Sequence, residues 1–360
     1  MANTITYYDF NDLNYSSYFL SGFHQNQDRF QYTFTVTKKI PEIVLKFEEQ
    51  KKWISVLFSV SLFKASFEGD EFFFCIDTRD SNDTDLDDGI GYHLPLLESV
   101  KYYFKVNYNQ ENINNNPLLS KYKEKILPAL PFFAVKSQKF LSYLPRLLPN
   151  RSVQWTFSDS IRRLKMLRSM LPIEEIIDMR DEKKQHDIFF VVTYYHEDVH
   201  IPDNEYRYQI MEELKKHPDI KSLVGFISYK KIPEKKYADL QVDAYPLKEY
   251  LRCLARSRVS IYVRGLHNCL SFKFNQLLLL GLPVIGQTLS NNQENLMENK
   301  YFNEQFAFDD PKEIVDEIAR LLTNPERQKM IGESNKQVFE DKFTPKHVVE
   351  DVLKQMAIRT

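Results

Sequence analysis

Residues that could bind a phosphate group cluster in one short segment, residues 264–273 of the 360-residue chain. Arg264, His267, Ser271 and Lys273 lie there, after the apolar run VSIYV and at the start of a segment of helical composition, FKFNQLLLLG. Cations and hydroxyl groups at the start of a helix supply the positive charge and the donors that a nucleotide diphosphate needs. We therefore predict that this turn stabilises a diphosphate; the alternative is a set of loop and cap residues without a ligand.

Four further residues are candidate ligand contacts, three of them in the same region. Gly265 and Asn268 belong to the turn itself, and Gln276 interrupts the apolar run of the following helix. A polar residue on a buried helix needs a hydrogen-bond partner, so Gln276 is predicted to contact a ribose. Arg207 follows the apolar run IFFVVTYY on a predicted helix, where it is either a second phosphate contact or a surface arginine.

A second group of polar residues, CIDTRDSNDTDLDD at 75–88, directly follows another apolar run. Its carboxylates Asp77 and Asp80 are predicted to take a proton from a hydroxyl group, as a general base does. His24 and His93 are alternative bases. The other interpretation is a solvated acidic loop together with two structural histidines.

Composition indicates a folded protein with more than one domain. Of the residues, 43% are hydrophobic and 27% charged, and a chain of this length normally divides into two cores. The net charge of −2 gives no reason to expect nucleic acid as a partner. One local basic segment, RRLKMLR at 162–168, is either a solvated helix face or a patch that contacts a membrane or a polyanion.

Cysteine content and apolar runs predict a cytoplasmic protein. Cys75, Cys253 and Cys269 are far apart and lie in apolar segments, which predicts reduced core residues rather than disulfides or a metal site. The longest apolar run, residues 54–63, is too short to span a bilayer. The first residues lack the basic start and apolar core of a signal peptide.

The first half of the chain has the pattern of a mixed α/β domain. The asparagine-rich segment 109–116 predicts a loop, and segment 44–63 fits either a strand or a buried helix. Strands are predicted at 30–37, 71–77 and 102–108, and helices at 94–100 and 159–170. A charged stretch, residues 174–186, is predicted to contain the domain boundary.

The second half alternates strands and helices, which is the pattern of parallel βαβ units and a doubly wound sheet. Strands are predicted at 188–195, 220–228, 259–263 and 283–286, and helices at 204–217, 246–257 and 272–281. Three more helices are predicted from residue 311 onward, each opening with Asp, Asn or Thr followed by proline. Ligands of such sheets bind at the carboxyl ends of the strands. The segment 264–273, which we call the cationic turn, follows one of these strands.

The order of these segments resembles the donor-binding domain of glycosyltransferases with the GT-B fold. KFNQLLLLGLPVIG is similar to the family signature K-x-x-E-A-x-A-x-G-x-P-V-I, and the acidic turn, N-P-E-R turn and final helices are similar to the family's C-terminal part. The likeness covers about residues 188–343. It implies an α/β protein with two Rossmann-like domains: an acceptor domain at 1–178, a nucleotide-sugar domain at 179–344, and a final helix at 345–358 that crosses back to the first.

Two positions depart from the family pattern. Retaining members carry two glutamates eight positions apart, and Asn268 and Gln276 occupy the corresponding positions here. Amides can hydrogen-bond sugar hydroxyls but supply no negative charge, so the stereochemical course, inverting or retaining, stays open. Asp83, Thr84 and Asp85 match the D-x-D motif with which another glycosyltransferase fold binds a divalent metal, whereas the GT-B resemblance implies a metal-free reaction.

The resemblance implies transfer of a sugar from a nucleotide-sugar donor to a hydroxyl group of a glycan acceptor, in surface polysaccharide or glycan synthesis. Asp77, Asp80 or His24 would be the catalytic base, and the cationic turn with Arg207 would hold the donor. The nucleotide sugar is a co-substrate, and no further cofactor is expected. Two alternatives stay open: a sugar-nucleotide epimerase of the same fold, and a non-catalytic protein that keeps the fold as a scaffold.

Overall fold

The computed structural model describes residues 3–9, 11–45, 58–84, 91–136, 157–296 and 300–357. In these residues the chain forms two α/β domains, each built around its own sheet, so the predicted fold class is confirmed. Most of the ambiguous segment 44–63, and Asp85 of the D-x-D motif, lie outside the described residues. Among the described helices, none is long and apolar enough to cross a membrane.

The strands of the first domain are β1 Thr4–Tyr8, β2 Thr33–Thr37, β3 Val60–Phe67, β4 Asp70–Asp77, β5 Tyr102–Lys105 and β6 Ile126–Pro128. They form one sheet in the order β2-β1-β3-β4-β5-β6. Strand β3 is antiparallel to both of its neighbours, β1 and β4. A two-residue turn at Glu68 and Gly69, both with positive φ, joins β3 to β4 as a hairpin. The other strand pairs are parallel, so five carboxyl ends lie at one edge of the sheet.

Helices of the first domain cover that sheet and start at its carboxyl edge. They are α1 Leu13–Asn26, α2 Glu42–Leu45, α3 Leu94–Ser99, α4 Gln110–Asn115, α5 Phe157–Ser169 and α6 Ile173–Ile177, with 3-10 turns at Ser120–Tyr122 and Asp178–Asp181. Asp12 caps α1, because its carboxylate accepts from the backbone N–H of Asn14 at 3.0 Å. This cap fixes the start of α1 beside the end of β1.

The strands of the second domain are β7 His186–Thr193, β8 Ser222–Ile227, β9 Gln241–Val242, β10 Ser257–Tyr262 and β11 Val284–Gly286. They are all parallel and lie in the order β11-β10-β7-β8-β9. Strands β7 and β10 are in register only near their starts, at His186 with Ser257 and Ile188 with Val259. Their carboxyl ends therefore separate at the position where the strand order reverses, which is where doubly wound sheets bind ligands.

The helices of the second domain are α7 Ile201–Lys215, α8 Lys235–Ala238, α9 Leu247–Ala255, α10 Phe272–Leu279, α11 Gln293–Leu296, α12 Lys300–Gln305, α13 Pro311–Leu322, α14 Pro325–Val338 and α15 Pro345–Gln355. Turns of 3-10 helix occupy Asp198–His200 and Leu266–Asn268, and a π-helical turn occupies Phe339–Phe343. Three start predictions are confirmed, because Asp310, Asn324 and Thr344 each accept a backbone N–H and precede a proline.

The C-terminal helix α15 packs against α1 of the first domain. The Tyr18 hydroxyl donates to the carbonyl of Phe343, and the amide of Asn26 donates to the carbonyl of Lys346 at 2.8 Å. Arg29 and Glu350 form an ion pair of 2.6 Å at the rim of this contact. A single hydrophobic core consequently runs from the first sheet through α15 to α10.

Asparagine side chains connect the carboxyl edges of the two sheets. The Asn107 carbonyl, after β5, accepts from the backbone N–H of Leu270 at 2.7 Å. Asn292 donates in the opposite direction, to the carbonyl of Ala129 at 2.8 Å. These bonds hold the end of the first sheet against the turn of the second domain that was predicted to bind phosphate.

One predicted loop is wrong. Residues 110–115 of the asparagine-rich segment form helix α4, which Asn109 caps by accepting from the backbone N–H of Asn112 at 2.9 Å. Only Ile113 is buried, so the segment has too little apolar periodicity to be recognised as a helix. The tertiary contact from Asn112 to the carbonyl of Asn82, at 2.6 Å, helps to hold it.

Candidate active site

A cavity of about 190 Å³ lies between the two domains, at the facing carboxyl edges of their sheets. The first domain lines it with residues that follow β4, β5 and β6, and with Tyr15 from the start of α1. The second domain lines it with Tyr195, after β7, and with the turn from Gly265 to Phe272, after β10. Both groups of polar residues singled out in the sequence therefore contribute to one cleft.

Asp80 is the predicted base that the structure places in this cleft. Its pKa is raised, because burial disfavours the charged form, and the Cys269 thiol, Lys105 and His267 act in the opposite direction. Cys269 and His267 belong to the second domain, so the surroundings of Asp80 are completed only by the facing turn. A carboxylate with a raised pKa in a cleft has the properties required of a general base.

Asp77, the other predicted acidic base, is placed in the interior and not in the cleft. Its side chain is fully buried and accepts from the Tyr103 hydroxyl at 2.5 Å and from the Lys105 ammonium at 3.3 Å. The backbone N–H of Arg79 donates a third bond at 2.8 Å. These partners occupy the carboxylate, so its role is structural, and the correction follows from burial that a loop-like sequence does not reveal.

The two histidines considered as bases are also outside the cleft. His24 lies on the last turn of α1, edge-on to Phe34 at 4.8 Å between ring centroids, at the opposite edge of the sheet. His93 caps α3, where its Nδ1 accepts from the backbone N–H of Leu96 at 2.9 Å. Burial and the nearby Arg79 lower the pKa of His93 to about 3, which keeps the ring neutral.

Two predicted phosphate contacts, Arg207 and Lys273, meet where the carboxyl ends of β7 and β10 separate. Arg207 is 4% exposed and donates to the carbonyl of Thr193 at 2.9 Å, with its guanidinium 4.5 Å from the ring centroid of Tyr195. Lys273 donates to the carbonyl of Val191 at 3.0 Å. Both cations thus lie against strand β7, and neither is among the residues that line the cavity.

These two cations have no acidic partner among the described residues; the hydrogen bonds of their charged groups go to backbone carbonyls. The ammonium of Lys273 also lies 5.1 Å from the ring centroid of Tyr250. Burial, followed by the charge of Arg207, lowers the pKa of Lys273 to about 7. An anion beside them would relieve this cost, because buried charges are normally paired.

Arg264 differs from these two cations, because an acid already neutralises it. Its guanidinium donates to Asp309 at 2.8 Å near the protein surface, and its backbone N–H donates to the Gln287 side chain at 2.9 Å. The structure therefore places Arg264 at the rim of the site and not beside Arg207 and Lys273. Arg207 reaches the backbone carbonyl of Arg264 at 3.5 Å, not its guanidinium.

The turn from Gly265 to Ser271 brings backbone close to the cavity. A Cβ atom at Gly265 would lie 2.4 Å from the sulfur of Cys269, so only glycine fits there. His267 and Asn268 both adopt positive φ, of 54° and 60°. Ser271, at the N-cap of α10, makes no side-chain bond to the first N–H groups of the helix, and both Ser271 and Phe272 line the cavity.

The two amides at the family's glutamate positions lie outside the cavity. Asn268 is exposed, and its carbonyl accepts from the Ser290 hydroxyl at 2.7 Å. Gln276 is half-buried on α10, one turn beyond Lys273, and is not among the residues that line the cavity. A ribose contact for Gln276 stays a prediction.

Sequence reasoning missed three residues of the cleft: Tyr15, Asn107 and Cys269. Tyr15 contacts Phe272 across the cleft at 6.0 Å between ring centroids, and burial raises the pKa of its phenol to about 12. Cys269 was predicted to be a core residue, and it is buried, but its thiol also faces Asp80. The only available signal was the position of Cys269 within the cationic turn.

A larger cavity, of about 440 Å³, lies beside α15 and contains none of the predicted site residues. Acidic and basic side chains alternate around it, and Asp351 there has a raised pKa because of burial. Among the described residues, no three His, Cys, Asp or Glu side chains converge as metal ligands would. Asp83 of the D-x-D motif instead bonds to Ser81, at 3.0 Å through its backbone N–H.

A family comparison agrees with this geometry. Residues 207–354 match the family model described as glycosyl transferase-like, a stretch that contains Arg207, the cationic turn and all of α15 except its last residue. The resemblance predicted from the sequence is therefore confirmed for the second domain. The two facing α/β domains and the returning C-terminal helix agree with the GT-B architecture that this resemblance implied.

Several solved structures resemble the chain at low sequence identity, and no curated protein matches its sequence. S. aureus TarM, solved with UDP and alpha-GlcNAc-glycerol, has a TM-score of 0.44 and 10% identity over 78% of this chain and 50% of TarM. UDP-GlcNAc 2-epimerase from Neisseria meningitidis, bound to UDP-GlcNAc, has a TM-score of 0.45 and 10% identity over 96% of both chains. For OtsA the values are 0.40 and 13%, over 73% of this chain and 70% of OtsA. The chain thus spans half of TarM, and at such TM-scores these likenesses carry no weight for function.

Proposed function

We propose that this protein transfers a glycosyl group from a nucleoside-diphosphate sugar to a hydroxyl group of a carbohydrate acceptor, in glycan or surface polysaccharide synthesis. One observation carries the proposal: Arg207, which is buried, and Lys273, which is half-buried, lie at the strand-order reversal and donate hydrogen bonds to backbone carbonyls. A diphosphate supplies the negative charge that these cations lack among the described residues, and the start of α10 adds N–H donors.

In the proposed reaction the acceptor hydroxyl oxygen attacks the anomeric carbon while the bond from that carbon to the diphosphate oxygen breaks. The leaving diphosphate keeps the bonding electrons and is stabilised by Arg207 and Lys273. The proton of the hydroxyl passes to Asp80, which faces the donor side across the cleft. A single displacement of this kind inverts the anomeric carbon, so we propose an inverting transferase.

The two domains have separate tasks in this mechanism. The second domain holds the leaving group, and the first domain presents the base and the acceptor. Since Cys269 and His267 from the donor side surround Asp80, its protonation depends on the approach of the two domains. Independence from a divalent metal stays a prediction, and activity that survives EDTA would support it.

Thermal unfolding with added ligands tests the proposal. Nucleoside diphosphates should stabilise the protein, by about 2.7 kcal/mol at 100 times the dissociation constant, whereas the nucleosides alone should have much smaller effects. The base that stabilises best then identifies the donor series. If no nucleoside diphosphate stabilises the protein, the proposal fails.

A product analysis separates the transferase from its closest alternative. The preferred nucleotide sugar is incubated with and without a mixture of oligosaccharide acceptors, and the products are separated by mass and by sugar configuration. Transfer requires an acceptor and yields a longer glycan. Conversion of the nucleotide sugar to an epimer without any acceptor would instead identify an epimerase.

A further inference from the structure

One side of helix α5 is exposed and carries both apolar and basic side chains. Phe157, Ile161, Lys165 and Arg168 are spaced by four, four and three residues, so they lie along one face of the helix. Phe157 is 71% exposed and Ile161 is 42% exposed. We call these four residues the α5 face.

The opposite side of α5 is anchored to the first domain. Arg163 is buried and donates to the carboxylate of Asp9 at 2.9 Å, and Leu167 is buried in the core. The helix is therefore fixed in place, and the exposure of the α5 face is a property of the folded domain.

The charge on the α5 face is entirely positive. Lys165 and Arg168 are exposed and have no acidic partner among the described residues, and no acidic residue lies on this face. Nearby, the guanidinium of Arg162 lies 5.5 Å from the ring centroid of Phe58, which is itself 39% exposed. An aromatic and aliphatic surface with cations around it is complementary to anionic lipid headgroups above an apolar interior.

Helix α5 is connected to the first domain's side of the cleft through Arg162. Arg162 forms an ion pair of 2.5 Å with Asp12, which caps α1, and Tyr15 one turn later lines the cavity. The ring of Phe58 is 5.6 Å from that of Tyr15. A surface that contacts the α5 face would therefore lie close to the side of the cleft that presents Asp80.

We propose that the α5 face binds the protein to an anionic membrane surface. The apolar side chains Phe157 and Ile161 enter the headgroup region, and Lys165 and Arg168 contact lipid phosphates. The protein then lies on the membrane without crossing it. If the proposed function also holds, the acceptor is a glycan carried by a lipid of that membrane.

Sedimentation with vesicles tests the proposal without any nucleotide, so its result is independent of the proposed function. Vesicles of phosphatidylcholine mixed with an equal part of phosphatidylglycerol should bind the protein, and pure phosphatidylcholine vesicles should bind it far less. Binding should weaken as salt is raised, because the headgroup attraction is screened. Equal binding to both kinds of vesicle, or to neither, would overturn the proposal.

Three double variants locate the surface. Phe157→Ser with Ile161→Ser, and Lys165→Glu with Arg168→Glu, should each weaken binding by roughly tenfold or more. Lys329→Glu with Met330→Ser is the matched control, since Met330 is 55% exposed beside a lysine on α14, and it should bind like the unchanged protein. Thermal unfolding of each variant verifies that the fold is intact.

Two results would contradict the assignment of this surface. Vesicle binding that is unchanged in both α5 variants, or reduced equally in the α14 control, would place the membrane contact elsewhere. Binding to soluble polyphosphate with no binding to anionic vesicles would identify the α5 face as a polyanion site instead. If Lys165→Glu with Arg168→Glu unfolds the protein, Lys165→Gln with Arg168→Gln replaces it and should still weaken vesicle binding.

Discussion

The buried charges of the two domains have different partners. In the first domain the cations Lys105 and Arg163 each meet an acid, Asp77 at 3.3 Å and Asp9 at 2.9 Å. In the second domain Arg207 and Lys273 donate to backbone carbonyls, and no acid among the described residues pairs with them. Because an unpaired buried charge is costly, the second arrangement supports the proposed diphosphate site, whereas the ion pairs of the first domain stabilise its fold.

Asp80 is the exception that links the two domains. It belongs to the first domain, only three residues after Asp77, but it lies in the cleft rather than in a buried ion pair. The two neighbouring carboxylates thus have separate roles, one structural and one at the site. The following predictions test that division, from the largest expected effect to the smallest.

Asp80→Asn should lower the rate of glycosyl transfer about 10²–10⁴-fold, because the amide cannot accept the proton of the acceptor hydroxyl. The affinity for nucleoside diphosphate should stay the same, since the diphosphate is held by the other domain. Initial rates and binding calorimetry measure the two quantities. Asp83→Asn, in the same loop but exposed, is the matched control, and a comparable loss of rate in that variant would contradict the role of Asp80.

Asp77→Asn should lower the free energy of unfolding by about 3–5 kcal/mol, because it leaves Lys105 buried without an acid. Urea unfolding measures this loss. Glu71→Gln removes the acid of an exposed pair, 2.7 Å from Lys64, and should cost less than about 1 kcal/mol. A small loss for Asp77→Asn would mean that the first domain does not depend on its buried pair.

Gly265→Ala should destabilise the protein by about 1–3 kcal/mol, because the added Cβ would overlap the sulfur of Cys269. Urea unfolding again measures the loss. The double variant Gly265→Ala with Cys269→Ala removes the sulfur and should recover most of it. If the double variant is as unstable as the single one, the turn is constrained by contacts other than the Gly265 and Cys269 pair.

Nucleotide affinity should fall as the pH is raised from about 7 to about 9. Lys273 has a pKa of about 7 without ligand, and a bound diphosphate favours its charged form, so binding takes up a proton above that pH. The nucleotide affinity should fall by at most about tenfold per pH unit. Calorimetry in two buffers with different ionisation enthalpies measures the number of protons taken up on nucleotide binding. If Lys273→Met takes up as many protons as the original protein, a group other than Lys273 binds them.

Local patterns in the sequence were sufficient to predict much of the second domain. The strand, helix and strand around the cationic turn are found as β10, α10 and β11, and Gly281 beyond α10 has the positive φ typical of a helix C-terminal cap. Capping side chains followed by proline also gave the starts of three C-terminal helices. These features depend on residues close together in the chain, which is why the sequence reveals them.

The division of roles between Asp77 and Asp80 could not be predicted in the same way. Asp77 is structural because Lys105 and Tyr103 surround it, and Asp80 lies at the site because Cys269 of the other domain faces it. The partner of Arg264 is also distant in the chain. In the sequence Arg264 looked equivalent to Lys273, but it pairs with Asp309. Partners that are distant in sequence leave no local pattern.

The most direct test of the unpaired cations is nucleotide binding by Lys273→Met compared with Lys184→Met. Lys184 also donates to a backbone carbonyl, that of Ala255 at 2.7 Å, but this carbonyl is at the end of α9 and not on strand β7. Calorimetric titration with the preferred nucleoside diphosphate should show about 10–100-fold weaker binding for Lys273→Met and no change for Lys184→Met. Without ligand, Lys273→Met should unfold at no lower a temperature than the original protein. Unchanged nucleotide affinity in Lys273→Met would contradict the assignment of the buried cations to a diphosphate.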